Sequence, residues 1–164
     1  GKDFNFPKDR VIAFKHFGNK IWNMGRFLLM MREQWEKPIT SFEDLDKKSL
    51  TKEDKEILKQ YEAVVSKVDG ELEKFRFADA ADAIYHFMWH EMADKYIEQV
   101  KSREDKDTAL SVLTHIYISS LKLLHPFMPF ITEAIYQQMP GHGESIMIES
   151  YPVSHETKAS SSTK

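Results

Sequence analysis

Where the backbone is punctuated decides what this chain can fold into. Its 164 residues include only six glycines and six prolines, and most stand at the edges of long periodic stretches. Glycine and proline are the strongest local interrupters of regular structure, so this placement points to helices. Pro7 opens the first stretch, with Asp9 in its first turn, where a carboxylate complements the helix dipole. Val11, Phe14, Ile21, Leu28 and Met31 then recur near helical spacing, giving a helix over residues 7–35 that Pro38 ends. Gly18 and Gly25 lie inside it, each costing about 1 kcal/mol relative to Ala. Seven residues apart, they share a face where the backbone can approach another helix or a ligand closely.

Residues 39–50 read as a connector. Thr51 is an N-cap candidate with Glu53 and Asp54 in the first turn after it. Ile57, Leu58, Tyr61, Val64, Val65, Val68, Leu72 and Phe75 follow the i, i+3/i+4, i+7 rule and predict a second helix over 51–75. After the Phe75-Arg76-Phe77 corner, a third helix over 78–102 places Ala81, Ile84, Tyr85, Met88, Met92, Tyr96 and Val100 on the core face, broadened by Phe87 and Trp89. A charged turn leads to a fourth helix over 107–125, carrying Leu110, Leu113, Ile116, Tyr117, Leu121 and Leu124. Pro126 and Pro129 interrupt it, because each removes a backbone donor and clashes with the preceding turn. Pro129 suits the first turn of a short fifth helix over 129–139, with Phe127, Met128, Phe130 and Ile131 filling the bundle's end. Residues 145–151 read as extended and strand-like, and the Ser/Thr/Lys tail over 153–164 as flexible. The fold class is all-α: an antiparallel helical bundle of four long helices and a short fifth, one domain over residues 1–152, with a short extended C-terminal segment.

Composition narrows the function. Three Trp, six Tyr and eleven Phe exclude intrinsic disorder. The absence of cysteine excludes a disulfide framework, a thiol nucleophile and Cys-ligated metal sites, and favours a reducing, cytoplasmic compartment. No run approaches the roughly 18 apolar residues of a membrane span, so no membrane partner is expected. The chain begins with Gly1 rather than Met, as a fragment would. No Gly-rich phosphate loop follows a strand, no Glu-x-x-His pair suggests a di-iron bundle, and no Gly-x-Ser-x-Gly elbow surrounds Ser111, Ser119 or Ser120. His86 and His90, one turn apart with Glu91 and Asp94, form the best metal-like group, against the plainer reading of two partly exposed helix histidines. No catalytic residue and no metal site are expected.

Charge placement says more than total charge. Between Lys8 and Arg32 six cations (Lys8, Arg10, Lys15, Lys20, Arg26, Arg32) face only Asp9, a net of +5 within a chain of net −3, so the remainder carries −8. Asn19, Asn23 and Arg26 share one face at i, i+4, i+7, flanked by Lys20, Trp22 and Phe27. Such a set suits unpaired nucleotides, since aromatic and guanidinium planes stack on bases, amides read base edges and cations neutralise phosphates. Equally, Trp22 and Phe27 can be core residues, and Arg26 can pair with an acidic neighbouring helix.

These residues are also familiar together. Asn19-Lys20-Ile21-Trp22-Asn23 followed by Arg26-Phe27 resembles the first helix of the anticodon-binding domain of class I aminoacyl-tRNA synthetases. The valine, isoleucine and leucine subgroup fits best, its valine-type members most closely. Gly1 to Phe6 looks like that domain's entry segment, and Tyr61 to Phe77 like its second helix and turn. Trp89 to Tyr96 resembles its third-helix motif, Leu123 to Glu133 its proline-interrupted corner, and Ser145 to Ile148 with Tyr151-Pro152 its closing segment. Two positions depart from the pattern: aromatics are commoner where Met92 and Lys95 stand, and Trp where Tyr136 stands.

The resemblance implies a module that grips the anticodon stem and loop of a tRNA (tRNA-Val for a valine-type member), with Asn19, Lys20, Trp22, Asn23, Arg26 and Phe27 as its binding residues. The family's His-x-Gly-His and Lys-Met-Ser-Lys-Ser motifs are absent from this chain. It implies that ATP and amino-acid activation belong to a catalytic domain, a partner lying elsewhere in a parent enzyme, with no cofactor in this domain. The competing expectation is a helical protein-interaction module whose eight methionines and aromatics form a docking face.

Overall fold

The computed structural model describes the backbone of residues 8–154 and side chains from Phe14 onward. Residues 1–7, with Pro7 as the expected opener of the first helix, and residues 155–164 of the tail lie outside the described residues. Helix α1 is Lys8–Trp35 and α2 is Lys52–Glu73. The third helix, α3, changes winding twice: α-helical over Phe77–His86, π-helical over Phe87–Ile97 and α-helical again over Glu98–Ser102. Helix α4 is Lys106–Leu124 and α5 is Pro129–Tyr136. Among the described residues there is no strand.

Side-chain pairs fix the directions. Tyr96 meets Asp54 while Phe87 meets Tyr61, so α2 and α3 are antiparallel. Phe17 packs on Tyr85 and Phe27 lies under Lys101, so α1 and α3 are parallel. The Tyr117 hydroxyl donates to the Ile21 carbonyl at 2.6 Å and Arg32 donates to Thr114 at 2.9 Å, so α4 runs back along α1. Successive long helices therefore alternate, and α5 lies on α1 with Ile131 beside Gly18 and Ile135 beside Gly25.

The two glycines thus serve helix–helix approach. A Cβ at Gly25 would sit 2.7 Å from the Tyr117 hydroxyl, which cannot swing away because it is buried and bonded to Ile21. The π segment has its own packing logic. Its buried residues come in the pairs Phe87/Met88, Met92/Ala93 and Tyr96/Ile97, recurring every four or five residues as an i→i+5 winding requires. A 3.6-residue period would rotate these pairs off the core.

A single buried carboxylate ties α2 to the end of α3. Thr51 and Asp54 form a capping box: the Asp54 N–H donates to the Thr51 hydroxyl at 3.1 Å and the Thr51 N–H to Asp54 at 2.9 Å. Asp54 also accepts from the Tyr96 hydroxyl at 2.5 Å and from both terminal nitrogens of Arg103. Burial alone would push this carboxyl up, but the Arg103, Tyr96 and Thr51 hydrogen bonds outweigh it and hold it below the usual carboxylate range.

Four expectations need correcting. The second helix stops at Glu73 rather than 75, because Phe75 adopts φ +57, outside the helical region. The fifth helix ends at Tyr136, and residues 137–139 continue only as tightening turns, Gln138 N–H reaching Ile135 and Met139 N–H reaching Tyr136. Residues 145–151 are not strand-like: Ile146–Ile148 form a 3-10 turn, since among the described residues no strand offers partners, and the N–H groups go to two side chains and, for Ile148 and Glu149, to the Ser145 and Ile146 carbonyls. Ile146 donates to Glu133 at 2.8 Å and Met147 to Ser145 at 3.1 Å. Phe130 does not fill the bundle's end; it is 91% exposed, while Phe127, Met128 and Ile131 pack on the core.

Two stability outcomes follow. Asp54→Ala leaves Arg103 without its buried partner and is expected to cost about 3–5 kcal/mol in denaturant unfolding. Because the folded carboxyl is depressed, its contribution is present above its unfolded value near 3.9 and lost as pH falls below that. Asp54→Asn should accordingly flatten the acid limb of the stability curve. Gly25→Ala is expected to destabilise by about 1–3 kcal/mol through overpacking. Gly70→Ala, which meets nothing within 4 Å, should stabilise by up to about 1 kcal/mol; equal effects of the two would refute this packing.

Candidate nucleic-acid interface

Three flanks of α1 are engaged and one is open. Phe17, Ile21, Met24, Leu28 and Met31 are buried in the core. Asn19, Asn23 and Arg26 form an exposed ridge, continued by Met30, which is 44% exposed. None of the three polar ridge residues makes a hydrogen bond or ion pair among the described residues. Among the described residues Arg26 therefore does not pair with an acidic helix, the alternative the sequence left open.

The other three candidates turn aside from that ridge. Lys20 leans toward α3, 3.5 Å from Asp94 and 4.8 Å from the centre of the Trp89 ring. Trp89 in turn packs on Tyr85 at 5.5 Å. Phe27 lies on the same side, half-buried beneath Lys101 at 5.0 Å. Trp22 leans the opposite way, against the core, and with Gly25, Arg26, Leu29, Ile135, Gln138 and Met139 lines a crevice of about 10 Å³. That space holds about one water, so Trp22 offers an edge to a ligand rather than a slot for one. A ridge of amides and a guanidinium, bordered by Trp22 on one side and a Lys–Trp–Lys–Phe flank on the other, can hydrogen-bond base edges and neutralise phosphates.

Two neighbouring residues escape a sequence reading. Trp89 reads there as core, and Lys101 falls in a charged helix end; only the parallel packing of α1 and α3 brings them beside Lys20 and Phe27. Periodicity within one helix carries no such signal.

The alternatives have their own geometry. His86 and His90 stack at 5.5 Å, and His90 Nδ1 stands 3.4 Å from Asp94. Among the described residues no three His, Asp or Glu side chains converge as a metal site would need. Of the eight methionines, Met24, Met31, Met88, Met92 and Met139 are buried, so methionine fills this core rather than forming a docking face.

Comparison with known proteins agrees with this architecture. A family described as the anticodon-binding domain of tRNA ligase matches residues 54–164. The chain belongs to that family. Its relatives include valine–tRNA ligases from Geobacter sulfurreducens, 41% identical over 160 residues, and Fervidobacterium nodosum, 39% identical over 155. Each alignment covers 93% of this chain, which spans only 17–18% of those proteins. They therefore reach α1, which the family match does not. A LeuRS from Agrobacterium radiobacter K84, solved in a ternary complex with tRNA and LeuAMS, shares the fold over 94% of this chain and 18% of its own, with TM-score 0.63 and 18% identity.

Elemental analysis of the purified chain checks the histidine pair. Zinc well below one equivalent is expected, and a stoichiometric, chelator-resistant metal would contradict the pairing of His90 with Asp94.

Proposed function

We propose that this domain recognises the anticodon stem-loop of a tRNA through α1, and that the tRNA is tRNA-Val. The observation that carries the reading is the unpaired ridge of Asn19, Asn23 and Arg26 on the one open flank of the basic helix. Arg26 is the phosphate or stacking cation, Asn19 and Asn23 meet base edges, and Lys20, Trp22 and Phe27 border the bound loop. Likeness to valine–tRNA ligases supports valine over the isoleucine and leucine readings. The same likeness supports a cytoplasmic role beside a catalytic domain that holds ATP and valine, with this domain supplying affinity and identity and using no cofactor.

An exposed, unpaired Arg26 can be removed without disturbing the core, so its effect isolates binding. Measured by fluorescence anisotropy at low salt, Arg26→Ala is expected to weaken a valine-anticodon stem-loop about tenfold, the order of one charge-assisted hydrogen bond. The salt slope should flatten by about one unit. Asn23→Ala should narrow the preference for the valine anticodon over isoleucine and leucine anticodons. If both variants bind like the unaltered chain, the ridge is not the reader.

A further inference from the structure

On the far side of the α5 exit loop lies a second feature that neither the family match nor the ridge accounts for. The connector between α1 and α2 folds back onto α4, where the Thr40 N–H and hydroxyl both donate to Asp107, at 2.6 and 2.8 Å. Between connector, α1 and α4 it leaves a groove of about 460 Å³, bordered also by Pro140 and Gly141. Ligand sites commonly occupy about 300–1,000 Å³.

The lining is chemically lopsided. Arg32 enters from α1 half-buried, and its only hydrogen bond among the described residues is to the neutral Thr114 hydroxyl. Among the described residues no carboxylate forms an ion pair with it, and burial pulls its guanidinium below the usual range. Ser111 borders the groove but is only 3% exposed, and its buried hydroxyl has no hydrogen-bond partner among the described residues. A buried orphan hydroxyl and an uncompensated, partly desolvated cation are each costly to the free protein. An anion in the groove would compensate Arg32 and, with the Ser111 side chain turned outward, accept from that hydroxyl as well. Lys122 adds a second cation, 3.8 Å from Glu149, while Glu43 is the lining carboxylate and is exposed. Phe42 and His115 stack at 3.8 Å with rings 7° apart, forming an aromatic wall. Ser111, Thr114, His115 and Lys122 fall on one stripe of α4, so a single helix face presents hydroxyls, ring and cation together.

We propose that this groove is a phosphate-binding subsite that takes a phosphate-bearing nucleotide of the bound RNA, the anion on Arg32 and Ser111 and the sugar or base against Phe42 and His115. It rests on the RNA reading above and extends the contact surface. Trp22 and Arg26 share their crevice with Met139, and the next two residues, Pro140 and Gly141, border the groove. One strand passing over this loop would touch both.

The test uses the full 164-residue chain. Arg32→Met keeps the length of the side chain and removes its charge; Ser111→Ala removes a hydroxyl that bonds nothing and so leaves the fold intact. Stem-loop affinity is measured across a salt series, and amide shifts of Thr114 and His115 are followed on adding inorganic phosphate or a nucleoside 5′-monophosphate. Expected results are a roughly tenfold affinity loss with a salt slope flatter by about one for Arg32→Met, a loss of a few fold for Ser111→Ala, and phosphate-induced shifts that vanish in Arg32→Met. The mononucleotide should shift the two amides at lower concentration than phosphate does. If the stem-loop binds and Arg26→Ala weakens it while Arg32→Met and Ser111→Ala leave affinity and slope unchanged, the subsite is overturned and the ridge stands. If the stem-loop does not bind but phosphate still moves the Thr114 and His115 amides in an Arg32-dependent way, the RNA reading falls and the anion site stands with the free mononucleotide as its ligand.

Discussion

Everything functional in this bundle depends on how closely α4 and α5 approach α1. The Tyr117 hydroxyl donates to the Ile21 carbonyl from inside the core, and it can do so only because residue 25 has no side chain. Ile131 and Ile135 use the same smooth stripe at Gly18 and Gly25 to lay α5 along α1. With α3 on one flank, α4 beneath and α5 on the other, a single flank of α1 is left uncovered. It is polar, and its Asn and Arg residues have no partner among the described residues. The two glycines, unfavourable for helix propensity, are what make a 28-residue helix both central to the core and open along one edge.

Much of the architecture could be read from periodicity alone. The α2 pattern from Ile57 to Leu72 and the Thr51 cap are local signals, and local signals survive into the structure because the capping box and the helix face need no knowledge of the rest of the chain. What sequence could not show is set by contacts across elements. The widened turn of α3 answers to the shape of the core around Met88, Met92 and Tyr96, and no propensity scale marks it in advance. The segment at 145–151 reads as extended, yet among the described residues no strand is there to pair with it, so the Glu133 and Ser145 side chains and the carbonyls of its own 3-10 turn take its N–H groups instead. Phe130 stays outside for a related reason: its neighbours Phe127, Met128 and Ile131 already pack on the core at the bundle's end, leaving Phe130 exposed.

The same division holds for the candidate site. The i, i+4, i+7 spacing of Asn19, Asn23 and Arg26 identifies a common face from sequence, and that face is open. Whether Lys20, Trp22 and Phe27 join it is a tertiary question, answered by Asp94 and Trp89 on one side and by Ile135 and Met139 on the other. The +5 of the first helix is likewise not spread evenly in space. Lys20 is held by α3, Arg32 points into the connector groove, and Arg26 alone of these three stands on the ridge. Of the cations counted along the sequence, Arg26 and Arg32 thus occupy two separate positions, on either side of the 139–141 turn.

The most direct test of the central claim is a chemical-shift map of the isotope-labelled chain on adding a valine-anticodon stem-loop. The amides and side chains of Asn19, Asn23 and Arg26 are predicted to move first and furthest, with smaller shifts at Lys20, Trp22 and Phe27. The exposed Lys/Glu face of α2 should stay silent. Shifts concentrated on α2, or a ridge that does not respond while the RNA binds, would contradict the account.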